Sequence, residues 1–77
     1  MILDIISPEK TVYSGEAESV TLPGAIGLFT ILDRHAPIIS ALTKGVLTYN
    51  VNGEKTEVKV NGGFVEAHDN HVSVCVE

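Results

Sequence analysis

Hydrophobic and polar residues alternate with a period of two along most of the chain, and no window of more than about ten residues carries a 3.6-residue apolar stripe. The pattern predicts an all-β protein. In "TEVKV", Thr56, Val58 and Val60 fall on one face and Glu57 and Lys59 on the other, as in a strand with one solvated side. Its partner lies just upstream: Asn52 and Gly53 of "VNGE" suit the central positions of a tight hairpin turn, where φ > 0 is required. That turn sets Val51 opposite Glu54, Tyr49 opposite Thr56 and Leu47 opposite Val58, so the apolar faces coincide.

A second hairpin is predicted in "GGFVEAHDNHVSVCV", with Asp69 and Asn70 at its turn. Its register pairs Val65 with Val74 and Ala67 with Val72 inside, and Glu66 with Ser73 and Phe64 with Cys75 outside. An outward phenylalanine beside a thiol marks a candidate contact patch, because solvated faces more often carry polar groups. Towards the start, "ILDII" and "TVYSG" flank "SPEK", where Pro8 presets a turn, and "AESVTLP" and "GLFTIL" flank the turn cluster "PGAIG". Seven or more short strands separated by such signals point to a sandwich or a small barrel, a single domain over residues 1–77.

Size narrows the possibilities. A domain of 77 residues buries only about 60% of the surface its unfolded chain exposes, so the core is small. The formal charge is −5, and the cations Lys10, Arg34, Lys44, Lys55 and Lys59 are scattered. A nucleic-acid surface needs clustered cations to displace counterions from phosphates, so nucleic acid is not an expected partner. The apolar runs span only a few residues, which predicts no direct membrane insertion, and Ile2–Ile6 is too short and too acidic for a signal peptide. Cys75 is the single cysteine, which excludes an internal disulfide and a multi-cysteine zinc site and fits a reducing, cytoplasmic setting.

Few residues suggest chemistry. His35 in "LDRHAPIISAL" has Asp33 and Ser40 nearby in sequence, but Ser40 lacks a nucleophile elbow, and the expected role is a loop or partner-facing histidine. His68 and His71 flank a predicted turn without a third ligand, and Cys75 has no cationic neighbour to favour a thiolate. No catalytic residue, metal site or cofactor is expected. The glycines at strand ends form no phosphate loop. Lys55 near a hairpin tip raises the alternative of a small lipoyl-type carrier or a ligand-binding β domain, although the acidic-Lys-Ala turn of lipoyl carriers is missing.

In order, "LDIISPEKTVYSG", "VTLPGAIGLFTILDRHAPIISALTKGVL" and "NGGFVEAHDNHVSVCVE" resemble the N-terminal domain of the epsilon subunit of the rotary ATP synthase, with collinear spacing from about Leu3 to Glu77. The resemblance implies a flattened β-sandwich of two antiparallel sheets with about ten short strands. It implies a noncatalytic rotor subunit of the central stalk, linking the gamma subunit to the membrane c ring at the cytoplasmic face of the bacterial inner membrane. By motif position it assigns Ser7, His35, Ala36 and Pro37 to the gamma contact, with Phe64 added as the outward aromatic. It assigns the loop holding Leu28, Phe29, Thr30, Asp33 and Arg34 to the c ring. Asp33 and Arg34 replace the Pro-Gly that often precedes His-Ala-Pro in that family, Thr30 replaces a common glycine, and Leu28 stands where an acidic residue is frequent. Many members continue into a pair of C-terminal helices that can inhibit ATP hydrolysis or bind ATP. No capping box or apolar helical stripe precedes Glu77, so the expected protein is a short form without that helical hairpin.

Overall fold

The computed structural model describes residues 1–77 as nine β-strands without a helix. In chain order they are β1 (Ile2–Ile6), β2 (Thr11–Glu16), β3 (Ser19–Gly24), β4 (Gly27–Leu32), β5 (Ile38–Leu42), β6 (Gly45–Val51), β7 (Glu54–Val60), β8 (Gly63–His68) and β9 (His71–Val76). They form one hydrogen-bonded path, β2-β1-β9-β8-β5-β3-β6-β7, with β4 added to β3. The path curls into two layers, β2-β1-β9-β8-β5 and β4-β3-β6-β7, because the only register pair between β5 and β3 is Gly24 with Leu42. The all-β sandwich is therefore present, with its two layers continuous at one corner.

The corner has a local cause. Pro23 has no N–H, so it cannot continue the β3 ladder as a donor. Its carbonyl instead accepts from Thr43 N–H at 2.8 Å, while Ala25 N–H donates to the Ala41 carbonyl at 3.1 Å. Gly24 allows the chain to close there: a Cβ on it would lie 2.8 Å from both the Gly27 carbonyl oxygen and the Phe29 ring.

Both hairpins read from the alternation occur in the expected register. Val51 opposes Glu54, Tyr49 opposes Thr56, Phe64 opposes Cys75 and Ala67 opposes Val72. The turn residues take positive φ, 52° at Asn52, 80° at Gly53, 52° at Asp69 and 59° at Asn70. These residue types tolerate that region best. Thr56, on the edge strand β7, is nonetheless exposed although it shares a face with the half-buried Val58 and the buried Val60.

Apolar side chains from both layers fill the interior. Leu3, Ile5, Val65, Val72 and Val74 of one layer meet Val20, Leu22, Ile31, Leu47 and Val60 of the other, and no polar or charged side chain is buried. Tyr13 and Tyr49 close one side, their ring centroids 4.6 Å apart. One pairing departs from the antiparallel expectation: β1 and β9 run parallel, from Ile2 opposite His71 to Ile6 opposite Cys75. Parallel partners need a long crossover, and here the rest of the chain supplies it.

Candidate partner-binding surface

The two outer faces differ in chemistry. On the β4-β3-β6-β7 layer, cross-strand neighbours run Thr30, Thr21, Thr48, Glu57 and, one row away, Ser19, Asn50, Lys55. Hydroxyl and amide groups pair along these rows, Thr21 with Thr30 at 2.8 Å and Asn50 Nδ2–H donating to Ser19 Oγ at 2.9 Å. This face is wet. On the opposite layer the row is Ile6, Cys75, Phe64, Ala41, with Ile39 one step along β5. Phe64 is 51% exposed, Ile6 44% and Ile39 76%, an apolar strip that the fold leaves in water. Isolated exposed apolar residues are ordinary, but contiguous ones mark contact surfaces.

The residues assigned to gamma fall around this strip. Phe64 lies in it, and Ser7 follows Ile6 directly, in the turn where Ser7 Oγ accepts from Lys10 N–H at 3.2 Å. His35, Ala36 and Pro37 are exposed in the β4–β5 connection at the other end of the layer. An open groove of about 480 Å³ lined by Pro37, Ile38, Ile39, Glu66, Ala67 and His68 joins that connection to the strip.

Of the residues assigned to the ring, Leu28, Phe29 and Thr30 lie on the other layer and Asp33 and Arg34 in the connection between the layers, so they are not one loop. Residues 27–32 are strand β4, because their alternation pairs fully with β3. Leu28, 74% exposed, and Thr30 point outward, whereas Phe29 is half-buried and packs on the core. Ile38 of β5 also packs on the core. Asp33 and Arg34 are separated from Leu28 by the length of β4.

Asp33 and Arg34 form a tight turn closed by His35 N–H donating to the Leu32 carbonyl at 3.2 Å. Arg34, third of its four residues, has φ 62°. That is where turns with Pro second favour Gly third, which explains the Pro-Gly expected from the resemblance. Asp33 is engaged within the chain, by an ion pair with the Met1 amino group, which also donates to the Ala17 carbonyl at 3.1 Å. Arg34 N–H donates to Asn70 Oδ1 at 2.7 Å, a contact any residue with a backbone N–H would keep. A left-handed backbone costs a non-glycine residue about 1–2 kcal/mol, while glycine adds unfolded-state entropy. Arg34→Gly is therefore expected to raise folding stability by about 0.5–1 kcal/mol, read as a higher urea midpoint with unchanged slope.

None of the histidines stands in a catalytic arrangement. His35 Nδ1–H donates to its neighbour's carbonyl, Ala36 O, at 2.7 Å, and Ser40 Oγ donates to Ala41 O at 3.1 Å. His68 and His71 do oppose each other across the β8–β9 turn. His68 pairs with Asp69 at 3.2 Å, and no group of three or more potential ligands gathers for a metal. Lys55 sits within β7 opposite Asn50 rather than at the turn centre.

The alternation did not reveal one network. Asp4, whose side chain is 25% exposed, accepts from Ser14 Oγ at 2.6 Å and from His71 Nε2–H at 2.7 Å, tying β2, β1 and β9 on the outer face. Asp bridges the other two, so His71 cannot activate Ser14, and the role is structural. The Ser14 hydroxyl first, then the His71 ring, holds the Asp4 carboxyl below the usual carboxylate range. Its stabilising contribution is thus complete above about pH 4 and is lost as pH falls through the lowered value. Asp4→Asn is expected to lose about 1 kcal/mol at pH 7 and to show a flatter acid limb in urea titrations between about pH 2 and 7.

Comparison with known proteins joins these faces to a family. The model of the ATP synthase delta/epsilon chain, β-sandwich domain, matches residues 1–77. An ATP synthase epsilon chain of Desulfitobacterium hafniense is 45% identical over 75 residues, covering 97% of this chain and 57% of its own length. That of Leptospira borgpetersenii is 41% identical, covering 97% and 59%. The chain therefore spans a little over half the length of these relatives. Among solved structures, a chain of the Euglena gracilis mitochondrial ATP synthase assembly of OSCP, F1 and c ring superposes with a TM-score of 0.93 at 22% identity, over 99% of this chain and 49% of that one. A chain of the Tetrahymena thermophila mitochondrial central stalk and c ring gives 0.84 at 20%, over 99% and 62%. At such identities these likenesses speak for the fold alone. With the family model matched from end to end and relatives above 40% identity, the chain belongs to the ATP synthase delta/epsilon chain β-sandwich family.

Proposed function

We propose that residues 1–77 form one noncatalytic unit of the ATP synthase rotor, joining the gamma subunit to the c ring during ion-driven ATP synthesis. The unit sits peripherally at the cytoplasmic face of the bacterial inner membrane. The observation that carries this reading is the apolar strip of Ile6, Phe64, Ala41 and Ile39 on one outer face of a chain in the epsilon family. Gamma docks on that strip and on Ser7 and His35–Pro37 beside it. The ring meets the other layer through Leu28 and Thr30, with Asp33 and Arg34 at its far end; Phe29 supports this surface from inside. Two partners on opposite layers suit a coupling element, because the layers are joined through a packed core with no buried polar group.

A rotor coupling must be stiff, and here 46 backbone hydrogen bonds in 77 residues supply resistance to shear. Co-expression with gamma from the same source, followed by affinity capture of either chain, is the direct test. Stoichiometric co-purification is expected, and a clean failure to capture gamma would overturn the reading.

A further inference from the structure

A sheet edge exposes unpaired N–H and C=O groups, and folded proteins protect such edges with charge, proline or irregular pairing. Three strands here pair on one side only, β2 with β1, β7 with β6 and β4 with β3. β7 carries Glu54, Lys55, Glu57 and Lys59. The register of β2 shifts at Ile5/Ile6, which twists that edge away from a second partner. β4, "GLFTIL", has no charge, no proline and no register break. Its outward side chains Leu28 and Leu32 are both exposed, and fully exposed Ile26 stands at its entrance.

The order of residues in β4 identifies what fits this edge. Leu28, Phe29, Thr30, Ile31 and Leu32 read almost the same in both directions about Thr30. Two copies laid antiparallel about that centre place Leu28 opposite Leu32, Phe29 opposite Ile31 and Thr30 opposite its own copy. Outward residues then meet outward ones, and inward meet inward, as an isologous two-fold contact requires. Asp33 and Arg34 fall opposite Gly27 and Ile26, so no like charges face each other across the pair.

We propose that the free chain forms a two-fold dimer by antiparallel pairing of its β4 edges about Thr30, continuing the β4-β3-β6-β7 layer from one copy into the next. A strand of six residues gives a contact about 20 Å long, shorter than the span of a standard interface, so the dimer is weak and concentration-dependent. Each copy carries a formal charge of −5, and salt screens the repulsion between copies.

Sedimentation equilibrium of the 77-residue chain from about 10 µM to about 1 mM tests this. The expected result is a shift from monomer to dimer, tighter at about 0.5 M salt than at about 0.02 M by roughly the screening of the charge. Leu28→Lys weakens dimerisation at least about 10-fold, because each copy then sets a lysine against Leu32 of the other. Adding Leu32→Glu to that variant restores dimerisation, because each introduced lysine then faces an introduced glutamate on the other copy, which no other register achieves. Thermal melts of the variants, expected near wild type because both sites are exposed, separate loss of pairing from loss of folding. A chain that stays monomeric throughout, or a dimer indifferent to Leu28→Lys, overturns the proposal. The first of these would leave the edge to a strand of a different protein.

Discussion

Gly63→Ala is expected to remove about 3–5 kcal/mol of folding stability, enough to leave a domain of this size largely unfolded at about 37 °C. Gly63 opens β8 with φ 136°, and a Cβ on it would overlap the Cys75 carbonyl oxygen and lie 3.0 Å from the Val76 Cα. Both are backbone atoms of β9, so relief means separating β8 from β9 where Gly63 pairs with Val76 and Leu42. Gly53→Ala supplies the comparison: φ is 80° but nothing lies within 4 Å, so only the backbone cost of about 1–2 kcal/mol applies. Urea unfolding of both variants reads the difference. Equal midpoints would show that β9 yields easily and that close approach is not why glycine occupies position 63.

Phe64→Ala is expected to weaken gamma binding by about 30-fold or more while changing folding stability by no more than about 1 kcal/mol. The ring is half exposed in the free chain, so its truncation leaves the core intact. In the complex it would be the large aromatic at the centre of an apolar patch, flanked by Cys75 and Ala41 in its row, and such anchors dominate interface energies. Thr48→Ala, on the polar outer face opposite Glu57, is the control expected to leave gamma affinity unchanged. Titration calorimetry with purified gamma separates the outcomes. If Phe64→Ala binds like wild type, gamma does not use the strip, whereas a Thr48 effect would place gamma on the other layer.

How far the chain alone carried these conclusions depended on the distance over which each contact acts. The Asn52–Gly53 and Asp69–Asn70 hairpins were legible because a two-residue turn sets the register of its own strands. Phe64 opposite Cys75 followed from that register, and so did its outward direction. Phe29 read the other way: it is a large apolar residue near polar ones, and only its packing on the core shows that it faces inward. Position 34 was conspicuous as a departure, yet its meaning came from a φ of 62°. The Asp4–Ser14–His71 contacts unite residues 10 and 67 positions apart, and no local motif announces them.

By itself, then, the sequence determined an all-β chain, two of its two-residue hairpins, the faces of their strands, and membership suggested by collinear motifs. Alternation with period two and turn chemistry act over a few residues, so both survive without knowledge of the rest of the molecule. Only the tertiary structure decided that β1 lies parallel to β9 and that β5 joins β8, and these pairings bring Ile6 and Ala41 into one row with Phe64. That row exists because distant strands found each other through a shared apolar core, a choice made by packing over the whole chain rather than by any neighbouring residues.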